Sequence, residues 1–341
     1  MGQRCWRKKT KSLTTINTST QEETSDAPTT TQGRSTEEVT TTFQSTSVSP
    51  LPTQYDQTTA TQVPGNLETK ILITDAQKKI YLADLSTFTF QLHISLQGEP
   101  WDIDFDETGQ KIYWTDISDN GLWRADIDGS NAVRIRTSTY DGPKGLAISQ
   151  TSRQAFCAYD GSHVVTATDL NSPGSEMVII NPTGDTPRAI VVDDEQNVIY
   201  WTRDKGIDKA GKDGSSKAEV YNNEDLSDID GLFVDVSGQR LLFSDSGRKK
   251  VFILNLNTNS VTELTSSYEP SDIAFFNQKL YLLNINPTAI YEVNHLDASP
   301  TFVEHVASTY TAPRRMHIQT VIMSNLDGME EGGEESEEED D

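Results

Sequence analysis

Residues 112–116 read Ile-Tyr-Trp-Thr-Asp, and residues 199–203 read Ile-Tyr-Trp-Thr-Arg. The copies lie 87 positions apart, and each follows a short apolar run bounded by turn residues. Between and around them the chain alternates runs of four to seven Ile, Val, Leu and aromatic residues with Gly, Asp, Asn or Ser, as in KKIYLADL, WDIDFD and GLWRADI. No helical period appears. Short apolar runs closed by turn residues predict strands and hairpins. Asp128-Gly129 and Asp213-Gly214 each join two such runs, a pair suited to tight turns because it tolerates positive φ.

The two copies belong to a longer period. Pro100, Pro143, Pro187, Ile229, Pro270 and Pro313 each stand three residues before an apolar-x-apolar pair, at intervals of 43, 44, 42, 41 and 43 residues. Tyr113 and Tyr200 fall thirteen residues after their anchors, where other units carry Phe156 and Leu242; Tyr281 comes two residues early. Two further apolar runs follow in each unit. Four strands in 41–44 residues is the unit of a β-propeller blade. Six units give an all-β, six-bladed propeller of four-stranded antiparallel blades. The first unit lacks an inner strand, and PRRMHIQTV at the C-terminal end resembles an inner strand with nothing after it. Placing Met316–Val321 beside Ile71–Thr74 completes the sixth blade, so that the C-terminal strand closes the ring.

Composition frames this reading. The chain has 341 residues, 34% of them apolar, and a formal charge of −24. Three zones are expected: a disordered Ser/Thr-rich segment over 1–66, the propeller over 67–325, and a disordered acidic tail over 326–341. The first zone has too few apolar residues to offset the entropy of ordering, and its Thr and Pro content fits an O-glycosylated stalk. Asn17 begins its N-glycosylation sequon. The last thirteen residues hold nine carboxylates, and residues 1–66 are balanced, so about −15 remains on 67–328. An acidic body argues against nucleic acid and favours basic partners, or simply solubility. No apolar run is long enough for a membrane span, and MGQRCWRKKTKS lacks the apolar stretch of a secretory signal. Cys5 and Cys157 form neither a disulfide framework nor a zinc site.

IYWTD, followed by LWRADIDGS, resembles the YWTD (class B) repeat of the low-density lipoprotein receptor, receptor-related protein and nidogen family. That resemblance implies a monomeric six-bladed propeller acting in extracellular or cell-surface protein recognition, with no enzyme activity, cofactor or metal. It also implies structural roles for the motif residues Tyr113, Trp114, Thr115, Asp116, Tyr200, Trp201, Thr202 and Asp245: the Trp side chains fill space between blades, and the Asp carboxylates accept backbone hydrogen bonds. Arg203 and Asn284 depart from the motif Asp, and residues 156–159 read FCAY. The cysteine-rich modules usual beside such propellers are not in this sequence.

Propellers carry sites where inner strands open onto the central channel. The residues just past the anchors are Trp101, Asp102, Lys144, Arg188, Asp230, Asp272 and Arg314, followed by Arg315. They make either a self-neutralising polar lining or a docking rim for a partner's extended peptide, with Trp101 as apolar anchor. A calcium-dependent lactonase of six blades would need converging acids at the channel, where Lys144, Arg188 and Arg314 would repel the ion. An intracellular WD-type scaffold has a similar period, but the Gly-His and Trp-Asp pairs of that repeat are missing. The five histidines show no informative spacing.

Overall fold

A computed structural model of the chain describes residues 65–181, 186–294, 296, 300–306 and 309–324. The Thr-rich segment, Asn17 and the acidic tail lie outside the described residues. Every described element is a strand. The first blade contains β1 (Gly65–Asp75), β2 (Lys79–Asp84) and β3 (Gln91–Ser95). Blade 2 is β4 (Pro100–Asp106), β5 (Lys111–Asp116), β6 (Gly121–Asp126) and β7 (Val133–Thr137). Blade 3 is β8 (Pro143–Ser149), β9 (Gln154–Tyr159), β10 (Val164–Asp169) and β11 (Glu176–Ile180). Blade 4 is β12 (Ile190–Asp193), β13 (Val198–Arg203), β14 (Gly206–Gly211) and β15 (Ala218–Asn222). Blade 5 is β16 (Ile229–Asp235), β17 (Arg240–Asp245), β18 (Lys250–Asn255) and β19 (Val261–Thr265). Blade 6 is β20 (Pro270–Phe276), β21 (Lys279–Asn284), β22 (Ala289–Val293) and β23 (Phe302–Val306). Finally β24 (Pro313–Ser324) returns to β1, giving the order β24-β1-β2-β3 and a sixth four-stranded sheet.

The C-terminal strand lies beside β1 as expected from the sequence, in a register that sets Ile71 opposite Ile318, Ile73 opposite Met316 and Thr74 opposite Arg315. The buried Asp75 carboxylate secures the approach, accepting Thr311 N–H at 3.0 Å, Ala312 N–H at 2.9 Å and Gln77 N–H at 2.7 Å. Around the ring each inner strand neighbours the next: β4 with β8, β8 with β12, β12 with β16, β16 with β20, β20 with β24, and β24 with β4.

The core explains the Tyr-Trp pair. It consists of six clusters, each built from two adjacent blades. Successive residues on a strand point to opposite faces. Trp114 therefore packs with Ile80 and Ile94 of blade 1, while Tyr113 packs with Leu146 and Cys157 of blade 3. Likewise Trp201 meets Phe156 and Val165 of blade 3, and Tyr200 sits with Leu241 and Phe243 of blade 5. Each Tyr-Trp pair is thus a wedge driven into both flanking interfaces. Neither face of a blade can be left to water, which makes the ring the minimum stable unit.

The motif Thr has a separate task. Inner strands other than β12 carry a register shift near their start, as between Pro100 and Ile103 in β4, and β12 begins only at Ile190, past the corresponding stretch. The shift orphans an amide, and a hydroxyl from the next strand accepts it. Thr115 Oγ1 takes Asp102 N–H at 3.1 Å, Thr202 Oγ1 takes Ala189 N–H at 3.0 Å, and Ser244 Oγ takes Gly231 N–H at 2.9 Å. Buried amides need such partners. The motif Asp then closes the loop before its blade: Asp116 Oδ1 accepts Glu99 N–H at 3.0 Å, and Asp245 accepts Ser227 N–H at 3.0 Å and Asp228 N–H at 3.2 Å. Where Arg203 replaces that Asp, it pairs instead with Asp208 at 2.9 Å and with Glu219. The Asp-Gly turns take the positive φ they were read for, +83° at Gly129 and +82° at Gly214.

Candidate functional site

The seven residues expected at the rim divide into two groups. Trp101, Lys144, Arg188, Asp230 and Arg314 line one pocket of about 290 Å³, together with Asp228, Ile285 and Arg315. Asp102 and Asp272 do not. They face a second cavity of about 280 Å³ inside the channel, with Asp104 and His317. In β4 and β20 a register shift lies at the division: Trp101 and Ser271 line the rim pocket, while Asp102 and Asp272 line the channel cavity.

Within the channel the carboxylates act as rivets between neighbouring inner strands, which converge without pairing as a sheet. Asp102 Oδ2 accepts Leu146 N–H at 2.8 Å, Asp104 Oδ2 accepts Ile148 N–H at 2.6 Å, and Asp272 Oδ2 accepts Met316 N–H at 2.7 Å. Asp104 Oδ1 also lies 3.2 Å from His317 Nδ1. Enclosure by protein disfavours every charge here. Burial pushes Asp102 up to about 6 against the opposing charge of Arg315, and pushes Asp272 up to about 7 against the same residue. Asp104 rises to about 7, again through burial, which outweighs the amides of Ile148 and Phe105. His317 is driven down to about 4 by the same desolvation, with Asp102 pulling the other way. Arg315, 4% exposed, lines both spaces and partly neutralises the acids beneath it. With the Asp104 oxygens taken up by Ile148, Phe105 and His317, this acid–histidine pair clamps β4 to β24.

The rim pocket is arranged differently. The Trp101 ring carries two cations, with Arg314 Cζ 3.8 Å and Lys144 Nζ 4.7 Å from its centroid. Both contacts lie within cation–π range. Lys144 also meets Asp160 at 2.5 Å, Arg314 meets Glu99, and Arg188 meets Asp228 at 2.6 Å. Asp230 stands 4.0 Å from Arg188. The cations are therefore ion-paired all round; on the Trp101 side they also stack on an aromatic ring, and on the Arg188 side their carboxylate partners belong to the lining itself.

Arg315, Asp104, His317 and Asp228 complete these sites, and only Arg315 was singled out by its place beside an anchor. Trp101-Asp102-Ile103-Asp104-Phe105-Asp106 held a usable signal: alternating Asp residues share one strand face, and apolar neighbours cover the other.

No family profile matches the chain. Among curated proteins, the human low-density lipoprotein receptor-related protein 5-like protein is 26% identical over 149 residues, covering 43% of this chain and 58% of that protein. Nidogen of Drosophila melanogaster is 23% identical over 225 residues, or 64% of this chain and 16% of nidogen. Protein cueball of Drosophila erecta is 32% identical over 129 residues, 35% of this chain and 20% of cueball. The propeller is similar to those of the YWTD type. The chain thus spans little more than half of the first of these relatives and a fifth or less of the others. Among solved structures, the chain from a nidogen/laminin complex superposes with a TM-score of 0.67 at 19% identity, covering 73% of this chain and 98% of its own. TolB from Acinetobacter baumannii superposes with a TM-score of 0.60 at 14% identity, covering 74% of this chain and 66% of its own. Among the described residues no helix is long and apolar enough to cross a membrane.

Proposed function

We propose that the propeller is a non-enzymatic recognition module of an extracellular or cell-surface protein, and that it binds a protein ligand at the rim pocket around Trp101. The observation that carries this reading is the Trp101 ring held against Arg314 and Lys144 at the mouth of the channel. An aromatic anchor ringed by oriented charges is the usual make-up of an interface hot spot. The relatives support it: they are receptor-related and nidogen proteins, and one structural neighbour was solved in complex with laminin. The −24 charge of the chain favours partners with a basic body at long range, while the rim itself sets the local fit.

The test uses the full chain as bait against a panel of purified extracellular and cell-surface proteins. The reading predicts a partner whose affinity falls at least tenfold for Trp101→Ala and is unchanged for Met177→Ala, an exposed position on the outer strand β11. A panel in which every binder ignores Trp101→Ala overturns it. A hydrolytic role at the channel is disfavoured by the Arg315 guanidinium facing Asp102 and Asp272, and lactone turnover by the purified chain would reinstate it.

A further inference from the structure

The rim pocket is short of acceptors. Trp101 Nε1, Arg188 Nε, Arg314 Nε and two Arg315 nitrogens, Nε and Nη2, are buried with no hydrogen-bond partner among the described residues. All five atoms belong to residues lining this pocket, Arg315 lining the channel cavity as well, and all five are donors. Buried donors without acceptors are costly, and they concentrate where something else supplies the acceptor. Arg315, nine-tenths buried, is the clearest case: Nη1 reaches the Ser271 carbonyl at 3.1 Å and the Arg314 carbonyl at 3.2 Å, while Nη2 is unmet.

Charge points the same way. Four cationic side chains line the pocket, Lys144, Arg188, Arg314 and Arg315, against the carboxylates of Asp228 and Asp230. Those two carboxylates sit by Arg188, at 2.6 Å and 4.0 Å, and Asp230 takes a further contact from Ser246 Oγ at 3.4 Å. On the Trp101 side, Arg314 pairs with Glu99 and Lys144 with Asp160, two carboxylates that stand outside the lining. Burial, reinforced by the adjacent Arg315 charge, draws the Arg314 guanidinium down to about 10. Beside the cations stands Ile285, 48% exposed.

Resting on the recognition reading above, we infer that the rim pocket selects an acidic side chain: the carboxylate of an Asp or Glu in an extended segment of the protein partner seats between Arg314, Lys144 and Arg315 against Trp101, and an apolar neighbour in that segment covers Ile285. A carboxylate offers the planar pair of acceptors that guanidinium donors fit. The pocket's local preference is thus opposite to the long-range preference of the acidic body. The body governs approach and the pocket governs which residue is read.

The probe is a randomised heptapeptide display library panned on the full chain and counter-selected on the Trp101→Ala variant. The expected result is a family of rim-dependent peptides sharing one Asp or Glu next to an apolar residue. Replacing that acid by its amide weakens binding at least tenfold, and Lys144→Met in the protein weakens it about fivefold. Lys144 is partly exposed, so its variant keeps the fold even if Arg315→Met does not. Rim-dependent peptides whose shared residue is basic or uncharged overturn the acid preference and leave the recognition reading standing. A library that yields no rim-dependent peptide at all overturns both.

Discussion

At the residue scale, the repeated motif is a set of separate physical duties in adjacent positions. Tyr and Trp fill opposite interfaces, Thr accepts an amide left unpaired near the start of the inner strand, and Asp secures the loop before the blade. The Thr duty can be isolated. Thr202→Val keeps shape and removes the acceptor of Ala189 N–H in a fully buried place. Stability is expected to fall by about 1–3 kcal/mol, the cost of an unmet buried donor. Urea unfolding checks this as a lowered midpoint with an unchanged slope. A midpoint equal to the parent's would mean that Ala189 N–H finds another acceptor. The wedge residues were legible from the sequence because bulky aromatic pairs recur at a spacing that only the interfaces require. The Thr duty was not, since a bulge leaves no mark in composition.

At the element scale, the seam formed by β20, β24 and β4 joins the two ends of the ring, and its titratable groups set its pH response. Asp272 on β20 holds Met316 N–H on β24, and it faces Arg315 from β24 and Asp102 from β4. A carboxyl raised from its usual value to about 7 binds a proton in the folded state that the unfolded chain has released. Its stabilising share is full below about pH 4, and it is lost as pH rises to 7. His317, lowered to about 4, works in the other sense and loses its share as pH falls from about 6.5 to 4. The Asp272→Asn variant removes one titration and leaves the other. Its stability relative to the parent should rise steadily between pH 4 and pH 7, read from urea midpoints at four pH values. A difference that is flat across this range would show Asp272 to be ionised throughout. The seam also shows why the candidate site was only half legible. Counting from each anchor found the rim, but Asp102 and Asp272 were assigned to it because the bulge that turns them inward cannot be counted from spacing. Asp104 and His317 meet across 213 positions, a contact that no local window contains.

At the scale of the whole propeller, stability is shared. Each of the six cores belongs to two blades, so no blade has a core of its own. The ring is complete only where β24 lies against β1, from Gly65 opposite Ser324 to Thr74 opposite Arg315. Such a ring opens as a unit, and its clasp should be as protected as its interior. Native-state hydrogen exchange measures this most directly. The amides of 69–74 and 315–321 are predicted to exchange only through global unfolding, with the same denaturant dependence as those of β13 and β17. Exchange of 315–321 at unprotected rates, while β13 and β17 stay protected, would show that the chain end does not close the ring.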